Sequence, residues 1–168
     1  MIKTKEEELF TLRQPTEKDG SDMFRIVKES NVLDVNSSYS YLMWGKFFRS
    51  TSIIAECESE RVVGFVSGFL LPERNDTLFV WQVGVEKEQR GKGLATKLII
   101  ELLRNVRQKE DVHYLEATVT PSNIPSSKLF KGIAKKLATD CIITECFPED
   151  LFPDDAHESE LSYRIGPF

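Results

Sequence analysis

The sequence predicts a mixed α/β fold in one domain, and two observations support that prediction. The chain has 168 residues, and a domain typically holds about 100–200 residues. Segments rich in β-branched and aromatic residues alternate with segments whose apolar residues recur every three to four positions, the spacing of an amphipathic helix. Their order, β-α-α-β-β-β-α-β-α-β-β, predicts a single mixed central sheet of about six to seven strands flanked by about four helices.

The first half of the chain predicts one strand, then two helices, then three strands. The first strand stops at Pro15, because proline cannot donate to a sheet ladder. Ser21 can cap the first helix, and the second helix is rich in aromatic residues. The predicted elements are a strand over 9–14, helices from 21 and over 38–48, and strands over 52–58, 62–71 and 77–85.

The second half of the chain predicts two helices and three strands. A helical period starts at Leu94, and Ser122 or Asn123 can cap the second helix. A loop that contains Asp154 and Asp155 joins the last two strands. The predicted elements are a helix from 94, a strand over 113–120, a helix over 125–137, and strands over 141–147 and 160–165.

The charge balance and hydropathy exclude several classes of partner. Lysine and arginine number 22 against 27 aspartates and glutamates, so the net charge is −5. Nucleic acid is therefore not expected as a partner, because neutralising its phosphates needs clustered basic residues. No run approaches 18 apolar residues, and the charged residues 1–8 lack the apolar segment of a secretory signal. We expect no membrane association and a cytoplasmic location.

Cysteine and histidine are too few and too scattered to predict a metal centre. Cys57, Cys141 and Cys146 form no CxxC pair, and His113 and His157 lie far apart in the sequence. Free thiols in a reducing compartment are typical of this pattern. We therefore expect no bound metal.

A glycine-bearing turn between a predicted strand and helix, residues 90–95, is the first candidate site. A helix start exposes unpaired backbone N–H groups at the positive end of the helix dipole. Gly91 and Gly93 allow an anion to approach the backbone closely, and Arg90 and Lys92 add positive charge. These features suit a pyrophosphate. A plain β-turn-α connection with flexible glycines is the alternative.

The surrounding residues favour a pyrophosphate site over a plain β-turn-α connection. Residues 83–95 resemble motif A of the GNAT acetyltransferase superfamily, which has the pattern Arg/Gln-x-x-Gly-x-Gly/Ala after a strand. Arg90, Gly93 and Ala95 fill that pattern. The resemblance implies the GNAT fold within residues 1–168, with a core of about 9–166, and acetyl-CoA as cosubstrate.

The same resemblance assigns roles to the backbone of this segment. It implies that amides from about Gln89 to Ala95 bind the pyrophosphate of acetyl-CoA. It also implies that the backbone amide of Val85 faces the thioester carbonyl. The cofactor-binding residues implied here are Val83, Val85, Gln89, Arg90, Gly91, Lys92, Gly93, Leu94 and Ala95.

Residues 123–130 resemble a second GNAT segment, Asn-x-x-Ser/Ala-x-x-Leu-Tyr. Asn123 can cap its helix and can also bond the amide groups of pantetheine. Ser127 can touch the cofactor or face solvent. Phe130 stands where many relatives have a tyrosine that protonates the departing thiolate, so we expect it to pack as a wall of the cofactor site.

Four further segments resemble the diaminobutyrate acetyltransferases, a family within this superfamily that makes the acetylated precursor of ectoine. This resemblance implies acetylation of the γ-amino group of L-2,4-diaminobutyrate under osmotic stress, and a homodimer. The segments are residues 33–41, 79–83, 115–123 and 157–160.

These segments supply side chains that suit a small diamine with one carboxylate. Asp34 and Glu116 can each pair with an ammonium group, and Trp81 can offer a cation–π face. Other polar groups can orient the carboxylate or the α-amino group; they are Asn36, Tyr39, Tyr41 and Thr118.

Each of these residues also has a purely structural reading. Asp34 and Asn36 can cap the second helix, on whose face the two tyrosines can pack. Trp81 can belong to the sheet core, and Glu116 can point to solvent.

Acetyl transfer also requires a base and an oxyanion donor. The acceptor ammonium has a pKa near 10 and must lose a proton before it attacks. We expect Glu116, and after it His157, to organise that deprotonation. The Val85 N–H is the predicted donor to the oxyanion.

Two other functions remain open from the sequence. The acceptor can be a different amine, such as a protein N-terminus, a polyamine or an aminoglycoside. The domain can also be a non-catalytic acyl-CoA-binding module, for which Phe130 at the usual tyrosine position is the sole support.

Overall fold

The computed structural model describes residues 9–153 and 156–168, which form a seven-stranded sheet with four α-helices. Residues 1–8, where we predicted no secretory signal, lie outside the described residues. So do residues 154–155, which we predicted to be part of a loop. The strands are β1 (Thr11–Arg13), β2 (Ser52–Glu56), β3 (Val62–Leu71), β4 (Arg74–Val85), β5 (Tyr114–Val119), β6 (Cys141–Phe147) and β7 (Glu160–Ile165). The helices are α1 (Gly20–Ser30), α2 (Ser38–Phe47), α3 (Leu94–Arg107) and α4 (Ile124–Lys136).

The sheet contains one parallel pair, and that pair separates along its length. The strand order is β1-β2-β3-β4-β5-β7-β6, and only β4 and β5 run parallel among the described strands. Their pairing starts at Thr77 with Tyr114 and stops at Val80 with Ala117. Because β4 continues to Val85, a wedge-shaped gap opens between the carboxyl ends of the two strands.

Helices cover both faces of the sheet. The apolar side of α3, which includes Leu98 and Leu102, packs with Ile133 of α4 on one face. Met23 and Ile26 of α1 pack with Tyr41, on α2, on the other face. The helical period of the sequence predicts these buried positions.

Two of the expected helix caps differ from those that form. Helix α1 begins at Gly20, after a short 3-10 turn that Thr16 caps, so Ser21 is not its cap. The Ser37 hydroxyl caps α2 by accepting from Ser40 N–H at 3.3 Å. Asp34 and Asn36 are therefore not the caps of that helix.

Among the described residues, no helix is long and apolar enough to cross a membrane. The three cysteines are free thiols. No group of three or more His, Cys, Asp or Glu side chains in this part of the chain is arranged to hold a metal ion.

Candidate active site

Two adjoining cavities lie at the gap between β4 and β5. The larger, about 640 Å³, lies against the turn before α3, and we call it the phosphate-loop cavity. The smaller, about 390 Å³, contains Asp34, Glu158 and Glu160, and we call it the acidic cavity. The two cavities share the wall residues Val32, Leu33, Val83, Thr120, Asn123 and Ser126.

The end of β4 points backbone donors into the gap. Glu86 N–H donates to the Val63 carbonyl on β3 at 2.9 Å. Since backbone groups of successive strand residues point to opposite sides, the N–H groups of Val83 and Val85 face away from β3, where pairing with β5 has ended. Arg90 Nε donates to the Val85 carbonyl at 3.2 Å from that same side. This geometry leaves the Val83 and Val85 N–H groups available to donate to the cofactor, as the sequence predicts.

The turn before α3 leaves its helix start open to an anion. Gly91 and Gly93 have φ values of 74° and 77°, which side-chain-bearing residues rarely adopt. Gly93 is the N-cap residue and provides no side-chain cap. The helical ladder begins when Lys97 N–H donates to the Gly93 carbonyl. The amides of the first turn, including that of Ala95, are therefore oriented to bind phosphate oxygens.

Two of the backbone amides predicted to bind the pyrophosphate are already hydrogen-bonded within the turn. Gln89 N–H donates to the Glu86 carbonyl at 2.9 Å, and Arg90 N–H donates to the Lys87 carbonyl at 3.3 Å. These two amides are thus engaged inside the turn. Lys92 lies outside the lining of both cavities, and its Nζ donates to Gln89 Oε1 at 2.8 Å. Gln89 and Arg90 are nevertheless among the residues that line the phosphate-loop cavity.

Helix α4 presents Asn123 and not Ser127 to the cavities. Asn123 lines both cavities, and its Oδ1 accepts from Ser126 N–H at 3.2 Å, so the cap leaves the amide nitrogen for a ligand. Ser127 follows Ser126 in the helix, and the Tyr163 hydroxyl donates to its Oγ at 3.0 Å. It is outside both linings, and Ser126 takes its place. Phe130 is buried in the wall of the acidic cavity and does not line the phosphate-loop cavity, which corrects its predicted place in the wall of the cofactor site.

Carboxylates dominate the charge of the acidic cavity. Asp34, Glu158 and Glu160 line it, and among the described residues no lysine or arginine does. Burial raises the pKa of Glu160, and the neighbouring carboxylates raise it further, against the opposing effects of a hydrogen bond with Thr118 and of His157. A carboxylate with a raised pKa is a stronger base at neutral pH.

His157 is held in a fixed orientation at the cavity wall. Its ring stacks on Phe152, with centroids 3.8 Å apart and planes 9° apart. Its Nδ1 lies 2.6 Å from the Glu158 carbonyl. A neutral imidazole in this position donates through Nδ1–H and leaves Nε2 as an acceptor.

Four of the predicted substrate residues line the acidic cavity. Asp34 and Asn36 reach it from the connection between α1 and α2, Trp81 from β4 and Thr118 from β5. Trp81 stacks on Trp44 of α2, with ring centroids 4.7 Å apart and planes 19° apart. The Trp81 ring therefore forms a supported wall rather than an isolated exposed face.

Three other predicted residues lie outside that lining. Glu116 is buried beside Arg164, 3.0 Å away, and Arg74, 3.3 Å away, so its charge is already balanced by two guanidinium groups. Tyr39 is 66% exposed on α2, and Tyr41 is fully buried. None of the three lines the acidic cavity, which corrects their predicted place in the wall that faces the substrate.

The sequence reasoning missed Gln82, Glu158 and Glu160 as lining residues. Glu116 lies in the middle of a predicted strand between Leu115 and Ala117, whereas Glu160 is the first residue of one. Position in the middle of a strand favoured Glu116 over Glu160. The sequence does not reveal which acid is neutralised by arginine.

Comparison with known proteins confirms the predicted resemblance. Residues 20–135 match the acetyltransferase (GNAT) family. The L-2,4-diaminobutyric acid acetyltransferase of Marinococcus halophilus is 56% identical over 156 residues, which cover 92% of this chain and 88% of the relative. That of Virgibacillus pantothenticus is 50% identical over 153 residues, which cover 91% of this chain and 95% of the relative.

A solved structure extends the comparison to three dimensions. The diaminobutyrate acetyltransferase EctA from Paenibacillus lautus, in complex with L-2,4-diaminobutyric acid and coenzyme A, is 35% identical to this chain. It superposes with a TM-score of 0.89 over 96% of each chain. The ribosomal-protein-S18-alanine N-acetyltransferase of Escherichia coli, 14% identical with a TM-score of 0.71 over 95% of this chain and 94% of its own, shares the fold. The chain therefore belongs to the acetyltransferase (GNAT) family, and within it to the L-2,4-diaminobutyric acid acetyltransferases.

Proposed function

We propose that this protein transfers the acetyl group of acetyl-CoA to the γ-amino group of L-2,4-diaminobutyrate, which yields the acetylated precursor of ectoine. One observation carries the proposal: a cavity lined by three carboxylates meets a cavity with an open helix start at the end of β4. The first suits a cationic acceptor and the second an anionic cofactor. The EctA relative binds both of these ligands.

The charge of the acidic cavity matches that of the acceptor. L-2,4-diaminobutyrate carries two ammonium groups and one carboxylate at neutral pH. Asp34 and Glu160 each pair with an ammonium in our proposal, and Trp81 provides an aromatic face. The side-chain amide of Asn36 is a donor in the same wall for the carboxylate, whereas the acceptor Nε2 of His157 suits an ammonium proton.

The phosphate-loop cavity holds acetyl-CoA in this proposal. The first-turn amides of α3 and the Arg90 side chain bind the pyrophosphate, and Asn123 bonds the pantetheine amides. The thioester then lies where the two cavities meet, at the end of β4 between Val83 and Val85. Holding the acetyl carbon next to the amine supplies several kcal/mol of the barrier reduction, because the entropy of bringing them together has already been lost on binding.

Glu160 is the base that we propose, either directly or through a water molecule. It removes a proton from the γ-ammonium, whose nitrogen then forms a bond to the thioester carbon. The Val85 N–H stabilises the resulting oxyanion. The C–S bond breaks, the coenzyme A thiolate leaves with the bonding electron pair, and the nitrogen loses its second proton to water. Phe130 has no hydroxyl to protonate it, and a thiol with an ordinary pKa near 8.5 can leave unprotonated.

The proposal includes a homodimer. Strand β6 is an edge strand, on which Ile142, Ile143 and Phe147 are 58%, 39% and 47% exposed. Exposed apolar edge strands are usually covered in the native assembly, and a second copy of this chain is the proposed cover. Light scattering after size exclusion tests this: Ile142→Asp should turn dimer into monomer, and a monomeric wild type would contradict the proposal.

The remaining parts of the proposal concern the whole protein. We propose that residues 1–168 act as one acetyltransferase domain in the cytoplasm, serving the response to osmotic stress. Deletion of its gene in the source organism should lower intracellular ectoine and growth at high salt. Normal ectoine levels in the deletion strain would contradict this role.

An amine panel tests the activity directly. Purified protein with acetyl-CoA is offered L-2,4-diaminobutyrate, L-ornithine, spermidine, an aminoglycoside and a peptide with a free N-terminus, and thiol release is measured. We expect diaminobutyrate to have by far the highest kcat/KM, with the acetyl group on the γ-nitrogen by NMR. Thiol release with another amine alone would favour a different acceptor. Tight acetyl-CoA binding without thiol release for any amine would favour a non-catalytic module.

A further inference from the structure

The connection between α1 and α2 carries Asp34 and Asn36 but forms neither helix nor strand. Its first residues are tied locally, since the Ser30 hydroxyl accepts from Leu33 N–H at 3.0 Å. Within the stretch 34–36, Asn36 Nδ2 donates to the Asp34 carbonyl at 3.3 Å, and the hydrogen bonds that connect this stretch to the rest of the fold come from partners elsewhere in the chain. A substrate-facing carboxylate on such a segment needs an anchor. A loop without the regular hydrogen bonds of a helix or sheet opens locally at a low cost in free energy.

Two side chains provide that anchor. Gln82 Nε2, on β4, donates to the backbone carbonyl of Asp34 at 2.9 Å. The Tyr41 hydroxyl, on α2, donates to Gln82 Oε1 at 3.1 Å and accepts from Asn36 N–H at 3.5 Å. The stretch 34–36 is thus connected to the central sheet through one continuous hydrogen-bonded chain.

Tyr41 is fixed by packing and is shielded from any ligand. It is fully buried and lies outside the lining of both cavities. Its ring meets Phe24 and Phe65 edge-on, with centroids 5.8 and 6.4 Å away. Any effect of its hydroxyl on substrate binding must therefore be indirect.

We infer that Tyr41 and Gln82 are positioning residues that hold Asp34 in place for a substrate ammonium group. The inference rests on the proposed function, in which Asp34 pairs with that group. Gln82 also lines the acidic cavity, so it can contact substrate as well. Tyr41 separates the two roles, because it acts only through its neighbours.

Tyr41→Phe is the decisive variant, because it keeps the ring and removes only the hydroxyl. We expect KM for diaminobutyrate to rise about five- to tenfold, the effect of one lost buried hydrogen bond. KM for acetyl-CoA should stay within about twofold. In an Asp34→Ala background, the same change should alter KM for diaminobutyrate by less than about twofold, since partners acting through one group are not additive. Tyr114→Phe, on β5 beside Arg164, is the matched control.

Amide hydrogen exchange gives a readout that does not depend on activity. In Tyr41→Phe, peptides covering residues 33–37 should exchange several-fold faster, while peptides from α3 remain unchanged. Unaltered exchange in residues 33–37 would overturn the inference, as would an equal Tyr41→Phe penalty in the Asp34→Ala background. If wild type fails to acetylate diaminobutyrate, the proposed function fails, and the exchange experiment still decides whether Tyr41 anchors the loop.

Discussion

Glu116 and Arg164 face each other on adjacent strands, with a carboxylate oxygen 3.0 Å from Nη1 of the guanidinium. Arg74 approaches the same carboxylate to 3.3 Å, and the Arg164 guanidinium also stacks on Tyr114 at 3.8 Å. The carboxylate is 9% exposed. A buried charge with two cationic partners holds strands together and is poorly placed to accept a substrate proton.

Glu116→Gln should therefore affect stability more than catalysis. We expect the free energy of unfolding to fall by about 1–2 kcal/mol, since Arg74 and Arg164 are partly exposed and water compensates part of the loss. The kcat for diaminobutyrate should remain within about twofold. Urea unfolding and steady-state kinetics provide the test, with Glu110→Gln, which is exposed beyond the end of α3, as the control. Unchanged stability with a collapse of kcat would restore a catalytic role for Glu116.

Glu160→Gln should have the opposite profile. We expect kcat/KM for diaminobutyrate to fall roughly 100-fold or more, because both a general base and an ion-pair partner are lost. Affinity for coenzyme A, measured by calorimetry, should not change. Glu110→Gln is again the matched control. Near-normal kcat/KM in Glu160→Gln would exclude Glu160 as the base.

The raised pKa of Glu160 also predicts how stability depends on pH. Burial favours the protonated carboxyl in the folded state, so the pKa lies above its ordinary value of 4.5. The stabilisation from this group is complete below the unfolded-state pKa and is lost as the pH rises through the folded-state pKa. In Glu160→Gln, the free energy of unfolding should not fall as the pH rises through the folded-state pKa of Glu160. If the free energies of unfolding of variant and wild type changed in parallel between the unfolded-state and folded-state pKa, the prediction would be refuted.

Arg90→Ala should weaken coenzyme A through its phosphate groups. We expect a loss of roughly 1.5–3 kcal/mol, the value of one charge-assisted hydrogen bond. Pantetheine, which lacks the pyrophosphate, should bind wild type and variant equally in calorimetry. Lys97→Ala, one turn into α3, is the charge control. Equal affinity of wild type and Arg90→Ala for coenzyme A would place Arg90 outside the phosphate site.

Trp81→Ala should impair binding of the diamine while the cofactor still binds. Loss of the ring removes a cation–π face worth about 0.5–2 kcal/mol together with part of the cavity wall. We expect KM for diaminobutyrate to rise about tenfold or more, with partial recovery in Trp81→Phe, which keeps an aromatic face. A parallel loss of coenzyme A affinity would show that the Trp44–Trp81 stack serves the fold as a whole.

Local patterns predicted most of the secondary structure. The bounds of β3, β6 and β7 agree with those predicted from composition and alternation. The predicted start of β4 was three residues late, because Arg74 pairs with Leu71 across the hairpin despite its polar side chain. The bounds of a strand depend on which residues of a neighbouring strand it pairs with. The alternation of apolar and polar residues along one strand does not reveal those partners.

The cofactor half of the site could be predicted because its parts are contiguous in sequence. A strand end, two glycines and a helix start within 83–95 determine where the amides point. The sequence alone also determined the order of elements, the family and the two charged segments near Asp34 and His157.

Only the tertiary structure decided which of two acids lines the acidic cavity. Glu116 and Glu160 lie on neighbouring strands, and the sequence favoured the first. Arg164 and Arg74 neutralise Glu116, whereas Glu160 lines the acidic cavity. Tyr41 likewise became an internal support once α2 was packed over β4. The physical reason is that a side chain's charge state and access to ligand depend on groups brought together by folding, not on its neighbours along the chain.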